Sequence, residues 1–124
     1  MNQSLLKASI YSVLLATVVG CSTQTKRSHR DAPRGVIGVS LLTLENPFFK
    51  VIGDTIVEEG LQEGYKTFLV SADKDAAKQG NQVKDFLVNK VAAIVLSPCD
   101  SKSIVPVIRE ANESGVPVFT VDIP

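Results

Sequence analysis

The stretch VIGVSLLTLENPFF, from Val36 to Phe49, predicts a buried strand that leads directly into a helix. Its first half is apolar, as expected of a parallel strand that is covered by helices and has no solvated side. Asn46 is a candidate helix N-cap, since its side-chain oxygen can accept a hydrogen bond from a first-turn amide, and Pro47 suits the next position. Adjacent helical residues point about 100° apart, so we expect only one of Phe48 and Phe49 to pack into the core.

The rest of the chain repeats this strand-helix order. Three more strands and three helices are predicted, with these bounds: strands over 65–70, 91–96 and 116–121, and helices that end at Gly64, span 75–89, and run from shortly before Pro106 to Gly115. Right-handed crossovers between such units build a parallel sheet with helices on both faces. The predicted fold class is therefore α/β, with a doubly wound parallel sheet.

The first twenty residues (1–20) predict an export signal. A short polar segment with one positive charge precedes a mostly apolar run over 8–19. This run is shorter than the roughly 20 residues that span a bilayer. The motif VVGC at 18–21 resembles the lipobox of bacterial lipoproteins, in which the cysteine is acylated; the alternative is an ordinary signal with a cysteine at its cleavage site. We expect a lipid on Cys21, which leaves Cys99 without a disulfide partner.

Charge is unevenly distributed along the chain, although the formal net charge is zero. Residues 21–34 are polar and basic and predict a flexible tether, which either lies on anionic lipid or is simply solvated. From Gly35 onward twelve acidic residues face eight basic ones, which argues against nucleic-acid binding. The single histidine, His29, lies in the tether, and one histidine in a flexible segment cannot form a catalytic pair or a metal site.

The sequence lacks the common motifs of enzymes. It contains no Gly-x-Gly-x-x-Gly or Gly-Lys-Ser/Thr phosphate loop, and no cysteine or histidine cluster with metal-ligand spacing. Cys99 is interpreted as an inert loop cysteine rather than a reactive thiol, because no histidine is near it in sequence. Asp73 and Asp75 are interpreted as a solvated helix cap rather than a cation site. We therefore expect no enzyme activity, no cofactor and no metal.

A ligand site is expected at the carboxyl ends of the strands. Loops over 42–49, 71–75 and 97–100, and the residue Asp122, follow the four strands. If the first strand is central, the first, third and fourth loops converge. They bring together an amide from Asn46, the phenylalanine rings and a carboxylate from Asp122, which are groups that bind a polyhydroxylated small molecule. The alternatives are core packing for a phenylalanine and a helix cap alone for Asn46 or Asp122.

The stretch IGVSLLTLENPFF at 37–49 resembles the start of the periplasmic sugar-binding proteins of the ribose and galactose type, which are the receptors of ABC importers. The segments GYKTFLVSAD, VAAIVLSPCDSKSI and ANESGVPVFTVD are also similar to that family. The resemblance implies that residues 35–124 form the N-terminal lobe of a two-lobe fold. It also implies the sugar contacts, which would come from Asn46, Phe48, Phe49 and Asp122.

Two departures from the family pattern qualify this resemblance. Ile123 replaces the arginine that is usual in ribose binders, which argues for another sugar or a related polyol. Family members also continue through a second lobe, so we expect this chain to be a truncated, incomplete lobe. Our leading hypothesis is an exported lipoprotein fragment, at the periplasmic or cell-surface side of the membrane, that captures a small sugar for the membrane subunits of an ABC importer. The alternative is a stand-alone flavodoxin-like sensory or interaction module of a membrane signalling system; a sugar-responsive repressor would begin with a DNA-binding helix-turn-helix instead.

Overall fold

A parallel sheet of four strands is the centre of the domain. The computed structural model describes residues 33–122, so the expectations for the signal peptide, for Cys21, for most of the tether and for Ile123 fall outside the described residues. The elements are β1 (Gly35–Leu41), α1 (Pro47–Gln62), β2 (Tyr65–Ser71), α2 (Ala76–Val88), β3 (Ala93–Leu96), α3 (Val105–Glu113) and β4 (Val118–Thr120). Within residues 33–122, no helix is both long and apolar enough to cross a membrane.

The strand order is β2-β1-β3-β4, and every neighbouring pair is parallel. β1 pairs with β2 along its whole length, from Gly35 opposite Tyr65 to Leu41 opposite Ser71. On its other side β1 pairs with β3, beginning with Ile37. The chain therefore moves to one side of β1 and then crosses to the other, which confirms the doubly wound α/β fold with an interior first strand. All four carboxyl ends lie on one edge of the sheet, called the carboxyl edge below.

Helices cover both faces of this sheet. On one face, Phe49 of α1 packs with Val39 and Leu41 of β1 in a buried cluster, called the α1 cluster below. On the opposite face, α2 and α3 form the larger cluster with the sheet and the turn before β3; its buried members are Val83, Phe86, Val91, Ile94, Leu96, Ile104 and Ala111. Successive strand residues point to opposite faces, so an apolar strand can supply both clusters at once.

Small residues allow the helices to approach the sheet closely. A methyl group at Gly38 of β1 would come within 2.6 Å of the ring of Phe86 in α2. A methyl group at Gly53 of α1 would lie 2.9 Å from Cδ2 of Leu69 in β2. At Gly38 the new methyl group would meet a buried, rigid ring, so this position requires glycine for reasons of space. At Gly53 the contact is with the end of a leucine side chain, which can move, so the requirement is weaker.

The helix ends agree with the predicted caps. The side-chain oxygen Oδ1 of Asn46 accepts a hydrogen bond from the amide of Phe48 at 3.0 Å at the start of α1. Asp75 caps α2 in the same way, accepting from the amide of Ala77 at 2.8 Å. Gly64 follows α1 with a φ of +82°, the left-handed conformation that ends many helices.

β3 and β4 are shorter than the sequence predicted. The predicted strands over 91–96 and 116–121 begin too early, because the amides of Val91 and Val116 donate to carbonyls in the last turns of α2 and α3. Pro117 has no amide to donate to a strand ladder. Strand pairing therefore starts two residues later in each case.

Candidate ligand-binding site

The loop after β1 places an amide side chain and an aromatic ring at the carboxyl edge. Asn46 is exposed, and its oxygen is engaged in the cap of α1. Phe48 is 54% exposed, whereas Phe49 is 5% exposed and belongs to the α1 cluster. The two rings meet edge to face, with centroids 5.2 Å apart and planes at 78°. The prediction that one of the two phenylalanines is a core residue is confirmed, and contact of Phe49 with a ligand stays a prediction.

Asp122 follows β4 at the same edge. It is exposed and has a φ of +51°, a conformation that aspartate adopts more readily than most residues. The preceding residue, Val121, donates its amide to the carbonyl of Leu96 at 2.8 Å and packs against the α1 cluster. Because β3 lies between β1 and β4, the end of β4 is two strand spacings from the end of β1, which is about 10 Å. The acid and the exposed ring of Phe48 thus share one edge of the sheet.

The loop after β3 contains Asp100, which bonds to the turn before α3, and the half-buried Cys99. Asp100 accepts hydrogen bonds from the amides of Ser103 at 2.6 Å and Lys102 at 3.1 Å. These bonds hold the pKa of the Asp100 carboxyl below its usual range, and the bond from Ser103 contributes most. Burial raises the pKa of the Cys99 thiol, and the nearby carboxylate of Asp75 adds to this effect. A thiol that resists ionisation is a weak nucleophile, in line with the interpretation of Cys99 as inert.

The loop after β2 is occupied by its own polar contacts. Asp73 accepts hydrogen bonds from the ammonium group of Lys78 and from the hydroxyl of Ser71, and both lower the pKa of its carboxyl. The interpretation of this loop as a helix cap is therefore confirmed for Asp75, while Asp73 pairs with Lys78 instead.

Sequence patterns did not indicate the buried polar cluster formed by Ser40, Gln79 and Ser97. None of the three is more than 1% exposed. Gln79 Nε2 donates to the Ser97 carbonyl at 2.8 Å and to Ser40 Oγ at 3.3 Å, while Gln79 Oε1 accepts from the Cys99 amide at 2.8 Å. Gln79 lies four residues before Val83 on the buried stripe of α2. A polar residue on an apolar stripe was the one signal that could have revealed it.

Comparisons with known proteins identify the family. A family model for the periplasmic binding protein domain matches residues 37–124. This chain belongs to the periplasmic binding protein family. The ribose import binding protein of Bacillus subtilis is 33% identical over 118 residues, which cover 91% of this chain and 39% of that protein. The D-apiose import binding protein of Actinobacillus succinogenes is also 33% identical, over 95% of this chain and 35% of the relative.

Solved structures of periplasmic binding proteins share the same fold. An ABC transporter solute binding protein from Bacillus halodurans, solved with bound myo-inositol, aligns with a TM-score of 0.68 and 28% identity over 76% of this chain and 33% of that one. This periplasmic binding protein domain thus spans about two fifths or less of the length of these relatives. The resemblance read from residues 37–49 to ribose-type binding proteins is confirmed.

Proposed function

We propose that this periplasmic binding protein domain is a ligand-binding lobe that captures a sugar or related polyol for an ABC importer. The observation that supports it most is the arrangement at the carboxyl edge, where exposed Asn46 and Phe48 follow β1 and Asp122 follows β4 of one parallel sheet. An aromatic face packs against the C–H surface of a sugar, and a carboxylate accepts hydrogen bonds from adjacent hydroxyls. The ligands in the names of the relatives, ribose, D-apiose and myo-inositol, are all polyols and support this ligand class.

Capture by this site needs no covalent step, and we propose no enzyme activity. In a two-lobe receptor, closure about a hinge brings a second lobe over the ligand and excludes water. A hydrogen bond to a charged group such as the Asp122 carboxylate contributes about 1.5–3 kcal/mol in a protein site. A single lobe leaves its half of the site open to water, so its affinity for the sugar should be low.

We also propose that the protein is exported and held at the periplasmic or cell-surface face of the membrane by a lipid on Cys21. The apolar run over 8–19 and the motif VVGC at 18–21 support this proposal, as does the import role named for the relatives. Labelling of growing cells with a radioactive fatty acid tests it. The chain should take up the label and sediment with membranes, and Cys21→Ser should abolish both; label uptake by the Cys21→Ser variant would contradict the assignment.

Titration against a panel of pentoses, hexoses and inositols tests the proposed ligand class. The 124-residue chain is compared with a version extended to the length of its relatives. We expect the extended version to bind at least one polyol and the short chain to bind the same one much more weakly. Tight binding by the short chain would contradict the proposal that one lobe forms only half of the site. Absence of binding by both versions would contradict sugar capture.

A groove on the α2 face favours a second candidate function, that of a protein-interaction module. It has a volume of about 360 Å³, lies between β2 and α2, and is lined by Phe68, Asp85 and Phe86 among others. Phe68 is 46% exposed on β2, which within residues 33–122 pairs with β1 alone. An interaction module should keep its partner when Asn46 and Asp122 are substituted, because both lie at the carboxyl edge rather than in this groove.

A further inference from the structure

Two glutamines of α2, one helical turn apart, reach the carboxyl ends of three strands. Gln79 bonds to residues of β1 and of the loop after β3, as described above. Gln82 Oε1 accepts a hydrogen bond from the Ser40 hydroxyl at 2.7 Å, and its Nε2 donates to the carbonyl of Ser71 at 2.9 Å. Ser40 lies one residue before the end of β1, and Ser71 is the last residue of β2. One helix face therefore holds β1, β2 and the start of the third loop together.

These contacts continue into the loop that carries the exposed ring and amide. The hydroxyl oxygen of Ser71 accepts a hydrogen bond from the amide of Leu44 at 3.3 Å. The amide of Lys74 donates to the carbonyl of Leu42 at 2.8 Å. The chain between β1 and Asn46 is thereby bonded to the loop after β2, which Gln82 holds.

A second series of hydrogen bonds leads from Gln79 through the end of β3 toward Asp122. Ser97, whose carbonyl accepts from Gln79, donates its own amide to the carbonyl of Ser40 at 3.0 Å. The residue before it, Leu96, accepts the amide of Val121 at 2.8 Å. Asp122 thus directly follows Val121, which is bonded to the last residue of β3, and the next residue after β3 is the Ser97 that Gln79 binds.

We infer that Gln79 is a positioning residue, which sets the separation of the first and third loops of the ligand site through the hydrogen bonds of its side-chain amide. The ladder between β1 and β3 fixes the two strands as far as Ser40 and Leu96. Beyond the ladder, the side chain of Gln79 connects Ser40 to the third loop. A buried amide with all its groups bonded is directional, and any shift of one loop leaves a buried donor or acceptor unpaired. The consequence for ligand affinity rests on the proposed sugar-binding function.

Three variants test this role. Gln79→Met keeps the length of the side chain and removes its polar groups. Gln79→Glu keeps an acceptor for the Cys99 amide, but an ionised carboxylate loses the donor to the Ser97 carbonyl and is a buried, unpaired charge, so it is the more disruptive change. Val83→Ala is the matched control, because Val83 is fully buried on the same stripe of α2, and its side chain is apolar.

The first measurement is amide hydrogen exchange by NMR on the 124-residue chain, and it needs no ligand. In Gln79→Met the amide of Cys99 should exchange at least about tenfold faster than in the wild type, relative to the most protected amides of β1. In Val83→Ala the exchange of the Cys99 amide should change only as far as global stability changes. Unchanged relative protection of Cys99 in Gln79→Met would overturn the inference.

The second measurement is sugar affinity in the extended version, at a temperature where each variant is fully folded. Gln79→Met should bind at least about tenfold more weakly than the wild type, as expected if only about a tenth of the molecules then hold the two loops at the separation that binds the sugar. Gln79→Glu should also bind the sugar more weakly than the wild type, and Val83→Ala should bind it within about twofold of the wild type. If Val83→Ala and Gln79→Met lost the same amount of sugar affinity, the cause would be a general effect on stability, and the positioning role would be overturned. If the wild type binds no polyol, the proposed function fails, and the exchange of Cys99 alone decides the role of Gln79.

Discussion

Asn46 combines a helix cap with a proposed ligand contact, and two substitutions separate these roles. Asn46→Ala should lower the free energy of unfolding by about 1 kcal/mol, because the amide of Phe48 loses its acceptor. Asn46→Ser retains a capping oxygen, so stability should stay within about 0.5 kcal/mol of the wild type while sugar affinity falls. Urea denaturation and sugar titration of both variants give the two readouts. If Asn46→Ser bound the sugar as tightly as the wild type, Asn46 would act only as a helix cap and not as a ligand contact.

Asp122 is expected to contribute to binding but not to stability. Asp122→Asn is the appropriate variant, because asparagine tolerates the φ of +51° that alanine does not. Loss of the charge should weaken sugar binding about tenfold, since hydrogen bonds to a charged acceptor are the stronger ones. The free energy of unfolding should not change, because the side chain is exposed. Glu113→Gln, at the end of α3 away from the carboxyl edge, is the control; equal effects of the two variants would contradict a specific role for Asp122.

Cys99 should react slowly with alkylating agents in the folded protein. Its thiol pKa is raised by burial and by nearby carboxylates, so less thiolate is present than in the unfolded chain at the same pH. The folded-state pKa exceeds the unfolded one, so the stability linked to this thiol is complete below the unfolded pKa and is lost as pH rises through the folded pKa. Iodoacetamide labelling of Cys21→Ser between pH 7 and about 10, with and without urea, measures this difference. Equal labelling rates in the two states would contradict it.

Among the elements, β1 and α2 should respond in opposite ways to the same glycine-to-alanine change. Gly38→Ala should lower the free energy of unfolding by about 1–3 kcal/mol, because the new methyl group meets the buried ring of Phe86. Gly80→Ala should raise it by about 0.5–1 kcal/mol, since the new methyl group has space, with Val107 4.0 Å away, and alanine favours the helix. Thermal denaturation of both variants checks the signs. Destabilisation by Gly80→Ala would show that α2 packs more tightly against α3 than described here.

Most elements could be predicted because their signals are local. Apolar runs gave the strands, and the caps Asn46 and Asp75 and the glycine after α1 gave helix ends. The starts of β3 and β4 were predicted two residues too early, because the apolar residues Val91 and Val116 look like strand residues although their amides close the ends of α2 and α3. The burial of Phe49 has a local signal, because Phe49, Ile52 and Ile56 recur at helical spacing along α1. The role of Gln79 has none, because its side-chain partners lie on β1 and on the loop after β3.

For the whole molecule, the proposed ligand site depends on the strand order rather than on any one motif. With the order β2-β1-β3-β4, β1 is interior and its loop lies beside the loop after β3, with the end of β4 next in line. The loop after β2 lies on the side of β1 that is opposite to β3. Its hydrogen bonds to the first loop hold that loop in place, and it is not itself part of the proposed ligand site. The chain also spans only about two fifths or less of the length of these relatives. Under the proposed function, the carboxyl edge is the surface that a second lobe would cover.

In the proposed site, one polyol contacts the loop after β1 and the end of β4 together. Chemical-shift mapping by NMR, with the chain titrated with myo-inositol, ribose or a sugar found in the panel, tests it most directly. The amides of Asn46, Phe48 and Asp122 should shift together along one saturating curve, while those lining the groove between β2 and α2 stay in place. Shifts confined to that groove, or to only one of the two segments at the carboxyl edge, would contradict the claim.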